Sequence, residues 1–339
     1  MCLLLRKNYY CMEEVKMKKF LLVFFLVPIL LLFSVSMFVS AEEKTFENVF
    51  ITLSTGELGG GWYPFGGSIA TIWEKYIPGL TVSTQTSVGL AESLSLLEKK
   101  KSQVCFSNPD MSYFKYRGIG PYEGKSPYKD MRTLFSITGA PYYLVVPQNS
   151  PIKTPLDLRG KRVGVAPIGQ SMNIAAAALF DAYGLKEEDM KFFRGARMDR
   201  ADALKDGRVD AAIFIMNLGS AVMLDLITAS HCEIIPISEE YCKKITVECP
   251  YYVEYNIPKE AYALPEDINS FGLFSFLACD ASLDEDLAYT LTKVYFEHID
   301  EVGEMYPPAK GLTLEGGVHS SIPLHTGSEK YFKEVGVIK

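Results

Sequence analysis

From residue 49 onward the chain alternates short apolar runs of period two with longer stretches whose apolar side chains recur every three or four positions. That alternation is the pattern of a layered α/β protein. Val49–Ser54 reads as a strand, and residues 64–76 read as a helix carrying Ile69, Ile72, Trp73 and Tyr76 on one face. A strand is expected over 81–86, then a helix marked by Leu90, Leu94 and Leu97, then a short strand over 104–106 that runs into Ser107-Asn108-Pro109-Asp110. The pattern restarts with an apolar strand at 142–147, a turn-rich connector, and a buried strand at 163–165. A helix beginning near Asn173 follows, with Gly184 suited to its C-terminal cap. Residues 210–215 read as a strand after the short helix "DRADALKDG", residues 271–278 as a late strand, and 283–304 as one long helix with Leu287, Leu291, Val294 and His298 inward. Two successive βαβ sets with a late return strand imply two α/β lobes linked by more than one crossing. The expected division is a leader over 1–41, the first part of lobe 1 over 42–140, lobe 2 over 141–255, and a segment over 256–339 that completes lobe 1.

The leader changes the picture of where the protein works. Met17-Lys18-Lys19 precedes an apolar run over 20–39 that ends in Val39-Ser40-Ala41, the parts of a secretory signal. About twenty apolar residues can also span a bilayer, but Pro28, Ser34, Ser36 and the small-residue exit favour cleavage near Ala41. The expected location is periplasmic or otherwise exported. Residues 1–16 read as an over-called start or a long charged leader.

Removing residues 1–41 takes five basic and two acidic side chains from 34 and 41, leaving 29 against 39, a net charge of −10. Nucleic acid is therefore excluded as a partner, because it demands clustered positive charge. Five cysteines remain: Cys105, Cys232, Cys242, Cys249 and Cys279. None forms a C-x-x-C pair, so neither zinc nor dithiol redox chemistry is expected, and only Cys242 with Cys249 lies close enough to suggest a local bridge. No metal or cofactor is expected.

Residues 54–67, "STGELGGGWYPFGG", hold six glycines in fourteen positions directly after a strand. Such a cluster marks close backbone approach, either to a ligand or to the neighbouring helix. It lacks the Gly-Lys-Ser/Thr ending of a triphosphate loop and the G-x-G-x-x-G spacing of a dinucleotide site. A second glycine-bearing turn, Pro167-Ile168-Gly169-Gln170-Ser171, opens the helix of the other lobe. Both turns point free backbone N–H groups outward, the arrangement that receives an anion. Catalysis has little to stand on. "GQSMN" is not a G-x-S-x-G elbow, and the four histidines are scattered: His231, His298, His319 and His325.

With these residues in view, the chain resembles the TAXI type of solute receptor that serves TRAP transporters. The matching segments occur in order: "STGELGGGWYPFGG", "TSVGLAESLSLLEKKKSQVCFSNPD", "NSPIKTPLDLRGKRVGV", "DALKDGRVDAAIF", "CPYYVEYNIPKEAY" and "IPLHTGSEKYFKEVGV". The resemblance implies a periplasmic-binding-protein fold, type II-like, with two α/β lobes, a hinge and a ligand cleft. It implies capture of a small organic carboxylate or amino acid, glutamate and dicarboxylates being the usual class, by a monomer that delivers it to TRAP membrane subunits and catalyses nothing. The implied ligand residues are Gly60, Gly61 and Gly169 through backbone, and Tyr63, Ser87, Gln170 and Ser171 through side chains, with Asp110, Tyr143 and Asn217 beside them.

The chain departs from the family pattern where hydroxyl donors are usual: Leu90 follows Gly89, Ser93 stands for an Asn, and Gln170 and Met172 interrupt the second turn. Glu57 adds a carboxylate near the mouth. These departures point to a solute with both a carboxylate and a cationic or amide group, with Asp110 or Glu57 meeting the positive end. Two other classes compete. An extracellular sensing module would need a signalling partner, and an exported hydrolase would need a nucleophile with an adjacent base.

Overall fold

The computed structural model describes residues 46–56, 61–168 and 170–339. The leader and signal reading over 1–41, Glu57, Gly60 and Gly169 lie outside the described residues. Among the described residues no helix is long and apolar enough to cross a membrane.

The chain opens with β1 (Val49–Ser54), α1 (Trp62–Tyr76), β2 (Leu80–Gln85), α2 (Leu90–Glu98), β3 (Val104–Ser107) and α3 (Pro109–Arg117). β4 (Met131–Pro147) leads to β5 (Arg162–Val165), α4 (Ser171–Ala182), β6 (Lys191–Arg194), α5 (Arg197–Lys205), β7 (Ala211–Ile215), α6 (Ala221–Leu224) and β8 (Cys232–Ile235). Then come α7 (Glu239–Glu248), β9 (Val253–Ile257), β10 (Ile268–Asp280), α8 (Glu285–Glu297), α9 (Ile299–Met305), α10 (Leu314–Gly317) and α11 (Thr326–Glu334).

β1 runs parallel to β2 and β3, and β5 runs parallel to β6 and β7, so each half contains the predicted βαβ set. Two long strands join them. β4 and β10 pair antiparallel from Met131 with Asp280 to Pro141 with Gly272, after which β4 continues between β7 and β8 and the start of β10 takes β9. The strand expected at 142–147 is thus only the second half of a 17-residue strand that serves both lobes.

Along that half the side chains alternate faces, as the pleat requires. Tyr142, Leu144 and Val146 enter one core with α4 and α7, whereas Tyr143 and Val145 enter another with α5 and β7. The first lobe has its own core, in which Ile69 and Trp73 of α1 and Leu287 and Leu291 of α8 meet Phe135 of β4. Two sequence readings are corrected. The long helix over 283–304 breaks at His298, which leaves the helical region and stacks on Tyr76 at 3.5 Å, half-buried and not inward. Cys242 and Cys249 remain free thiols, with Cys242 buried at the carbonyl of Ile237.

Candidate functional site

In an open α/β sheet, ligands bind outside the carboxyl ends of the parallel strands, where helix N-termini leave N–H groups free. In the first lobe those ends are the segments after β1, β2 and β3. Ser54 donates to the Ser93 hydroxyl at 3.3 Å, Ser93 pairs with Ser87 at 2.6 Å, and Ser87 donates to the Thr55 carbonyl at 2.7 Å. The relay is buried and each hydroxyl has a partner, so Ser87 holds three loops together. Gly89 opens α2 at φ +149°, a conformation closed to other residues.

The glycine-rich turn divides by role. A Cβ at Gly66 would lie 2.3 Å from the Thr55 methyl, so that glycine exists for helix-to-strand packing. A Cβ at Gly61 would lie 2.6 Å from the Tyr306 hydroxyl. Gly61 itself is exposed at the N-cap of α1, and Tyr63 is half-buried in the first turn. Asn108 occupies the N-cap of α3. Asp110 sits in the first turn, fully buried, where one carboxylate oxygen accepts the Met111 N–H at 2.7 Å. Burial pushes its carboxyl above the usual range, against the opposing pull of hydrogen bonds from Ser171 and Met111.

In the second lobe, Gln170 is exposed at the N-cap of α4 and Ser171 begins the helix, two residues before the expected start. Asn173 pins the turn from β5 by donating to the carbonyls of Pro167 at 2.7 Å and Ala166 at 3.3 Å. Asn217, half-buried after β7, accepts the Ser220 N–H at 3.3 Å in a turn completed by Gly219 at φ +68°. Tyr143 lies beneath that turn. Its ring is fully buried and its hydroxyl meets that of Tyr262 at 2.9 Å, which in turn accepts the Gly219 N–H at 3.0 Å. Its place is under the 217–219 backbone, not at a surface.

The two sets of strand ends meet. The Ser171 hydroxyl donates to the Asp110 carboxylate, joining the first turns of α4 and α3. Tyr251, which packs at the second core, lies over Tyr113 and Phe114 of α3 with ring centroids 5.4 and 5.3 Å apart. Arg197 at the start of α5 acts electrostatically on Tyr306, the residue against Gly61, lowering a phenol that burial otherwise raises.

One residue that the sequence reading missed is Arg200 of α5. It is 5 % exposed, its Nη1 donates to the Gly195 carbonyl at 2.7 Å, and burial pulls its guanidinium down to about 10. The available signal was its spacing, four residues before Leu204 on the inward stripe of a short helix.

The arrangement suits binding. His319 stacks on Phe274 at 4.5 Å, His325 accepts the Gly327 N–H at 3.2 Å, and burial depresses both imidazoles. Among the described residues no group of three His, Cys, Asp or Glu could hold a metal ion.

The profile of the NMT1-like family matches residues 53–336. Among solved structures, a TctC solute-binding protein from Polaromonas without ligand is 17% identical, covering 77% of this chain and 88% of that one, with a TM-score of 0.55. The periplasmic aliphatic sulphonate-binding protein SsuA from Escherichia coli is 14% identical, covering 86% of this chain and 84% of that one, with a TM-score of 0.51. At these identities the likeness concerns the fold: two α/β lobes arranged as in periplasmic solute-binding proteins.

Proposed function

The chain belongs to the NMT1-like family, and on that premise we propose that it is an exported receptor that captures a small carboxylate-bearing solute between its lobes. The observation that carries this reading is the meeting of two helix N-termini from separate cores, joined through Ser171 and Asp110. A helix start contributes only about 0.3–2 kcal/mol toward an anion, so a solute needs donors from both lobes at once. That requirement links binding to closure, because only the closed form presents both sets.

The receptor hands its solute to a membrane partner of the TRAP type. The six ordered segments of TAXI character support that partner, and they span most of the matched region. The solute is an amino acid or a related carboxylate with a cationic or amide group. Asp110 supports this: its carboxyl is buried where the two helix starts meet, accepting from the Ser171 hydroxyl and the Met111 N–H, and a cationic group of the solute would be its charged partner there. The expected lobe boundary at 255 shifts along the chain: Ile257, Tyr262, Ile268, Phe271 and Leu273 pack in the second lobe's cores, so the start of the 256–339 segment belongs to that jaw and the remainder to the other.

Native mass spectrometry of the freshly purified protein, followed by calorimetry with amino acids and dicarboxylates, tests the proposal. Retained solute, or saturable binding with a dissociation constant of about 1 μM or tighter and no conversion on incubation, is the expected result. A plain dicarboxylate that binds while every amino acid fails removes the zwitterionic assignment. A protein that holds no solute and binds none of the panel removes the receptor itself.

A further inference from the structure

We infer that Arg200 anchors the anionic group of the solute, a carboxylate or sulfonate, at the first turn of α4. This deepens the receptor reading and rests on it. Arg200 lies at the carboxyl ends of β5, β6 and β7. Its guanidinium spans from the carbonyl of Gly195, at the end of β6, to the Met172 sulfur in the first turn of α4, 3.5 Å from Nη2. The Phe214 ring of β7 backs it at 5.2 Å.

What is missing is an anion. Arg200 is 5 % exposed, yet among the described residues its Nε has no acceptor and no carboxylate oxygen bonds its guanidinium. Its nearest acidic neighbour in sequence, Asp199, acts on it only through space, while its carboxylate accepts the Ala196 N–H at 3.0 Å and caps its own helix. A buried cation with no anion bonded to it is costly unless something supplies one. A thioether is a poor acceptor for a guanidinium, whereas a planar carboxylate or a sulfonate matches its fork.

The free N–H groups at the start of α4 converge on the same place, since Met172 belongs to that first turn. Ser171, the preceding residue, touches Asp110. Successive residues of one helical turn therefore reach a cationic group, Arg200, and an acidic group, Asp110, the two kinds of group that the poles of an amino acid require.

The test follows the Nε–H resonance of Arg200 by NMR in 15N-labelled full-length protein, titrated with acetate, methanesulfonate, succinate, L-glutamate and L-glutamine. At least one anion should bind saturably, shift that resonance downfield and slow its exchange with water. Arg200→Gln should weaken the same anion by about 100-fold, and Arg200→Lys should recover part of the loss. A structural role alone would leave the resonance unmoved by ligand, so the measurement on unaltered protein decides even if the variants fold poorly. Binding with the resonance unchanged, or equal affinity in a folded Arg200→Gln protein, overturns the inference and leaves the receptor standing. A neutral solute retained in native mass spectrometry while every anion fails has the same meaning. Absence of any bound solute overturns both.

Discussion

The strand ends of the two lobes handle their polar groups in opposite ways. In the first lobe Ser54, Ser93 and Ser87 form a relay that terminates on the Thr55 carbonyl, so each hydroxyl donates to a neighbour. In the second, the guanidinium of Arg200 is covered by protein but its Nε is without an acceptor among the described residues. Satisfied polar networks rigidify, and unsatisfied ones are costly because the interior screens charge poorly. The serine relay thus presets the strand ends of the first lobe, and those of the second carry a donor that, on the proposal above, an incoming anion would meet.

The largest effect that separates them is expected from aromatic truncation. Phe214→Ala, beneath Arg200, and Phe135→Ala, in the first core, should each lower the unfolding free energy by about 3–5 kcal/mol in urea titrations. Only the first should also weaken binding, because it releases the guanidinium from its backing ring. Phe135→Ala should hold affinity to within about twofold, as expected for a distant site. Equal losses of affinity in both would erase the contrast.

Asp110 gives a smaller, pH-dependent effect. Burial raises its carboxyl above the ordinary aspartate value of 3.8, so the folded protein keeps a proton that the unfolded chain releases. Stability from this group therefore falls as pH climbs from 3.8 through the raised value, and is restored on acidification. Asp110→Asn should abolish that slope and gain about 1 kcal/mol at neutral pH, read from urea midpoints at about pH 5 and about pH 7.5. Parallel pH profiles for the two proteins would mean that the carboxyl is not held in this environment. The smallest effect concerns the relay: Ser87→Ala should cost about 1 kcal/mol and change solute affinity little, since the hydroxyl holds loops. A large affinity loss with unchanged stability would instead make Ser87 a ligand contact.

Much of the fold was readable because apolar runs are local. The strands at 49–54, 104–106, 163–165 and 210–215 each carry enough apolar side chains in a short run to announce themselves, and each is present. β9, "VEYNI", was missed because its exposed positions alternate with half-buried ones and its remaining apolar content is slight. The first half of β4 was missed because Gly139 and Pro141 look like punctuation. There Gly139 is required by contact, since a Cβ would lie 2.7 Å from the Tyr255 hydroxyl. Of the expected site residues, Asp110 and Ser171 are brought into direct contact, Ser87 and Tyr143 are taken up by internal hydrogen bonds, and Gln170 stays exposed at its helix start.

Periodicity, the glycine-bearing turns and the order of the six segments determined an α/β chain in two parts with helix starts aimed outward. These features depend on neighbours a few residues apart, which a linear reading can count. Which polar groups were satisfied could be decided only by the tertiary structure, because a hydroxyl's or guanidinium's partner is set by distance in space. Ser171 found Asp110 sixty-one residues away, and Arg200 found a carbonyl and a sulfur but, among the described residues, no carboxylate bonded to it. Such pairings arise from how β4 and β10 join the cores of the two lobes, and no spacing along the chain encodes that geometry.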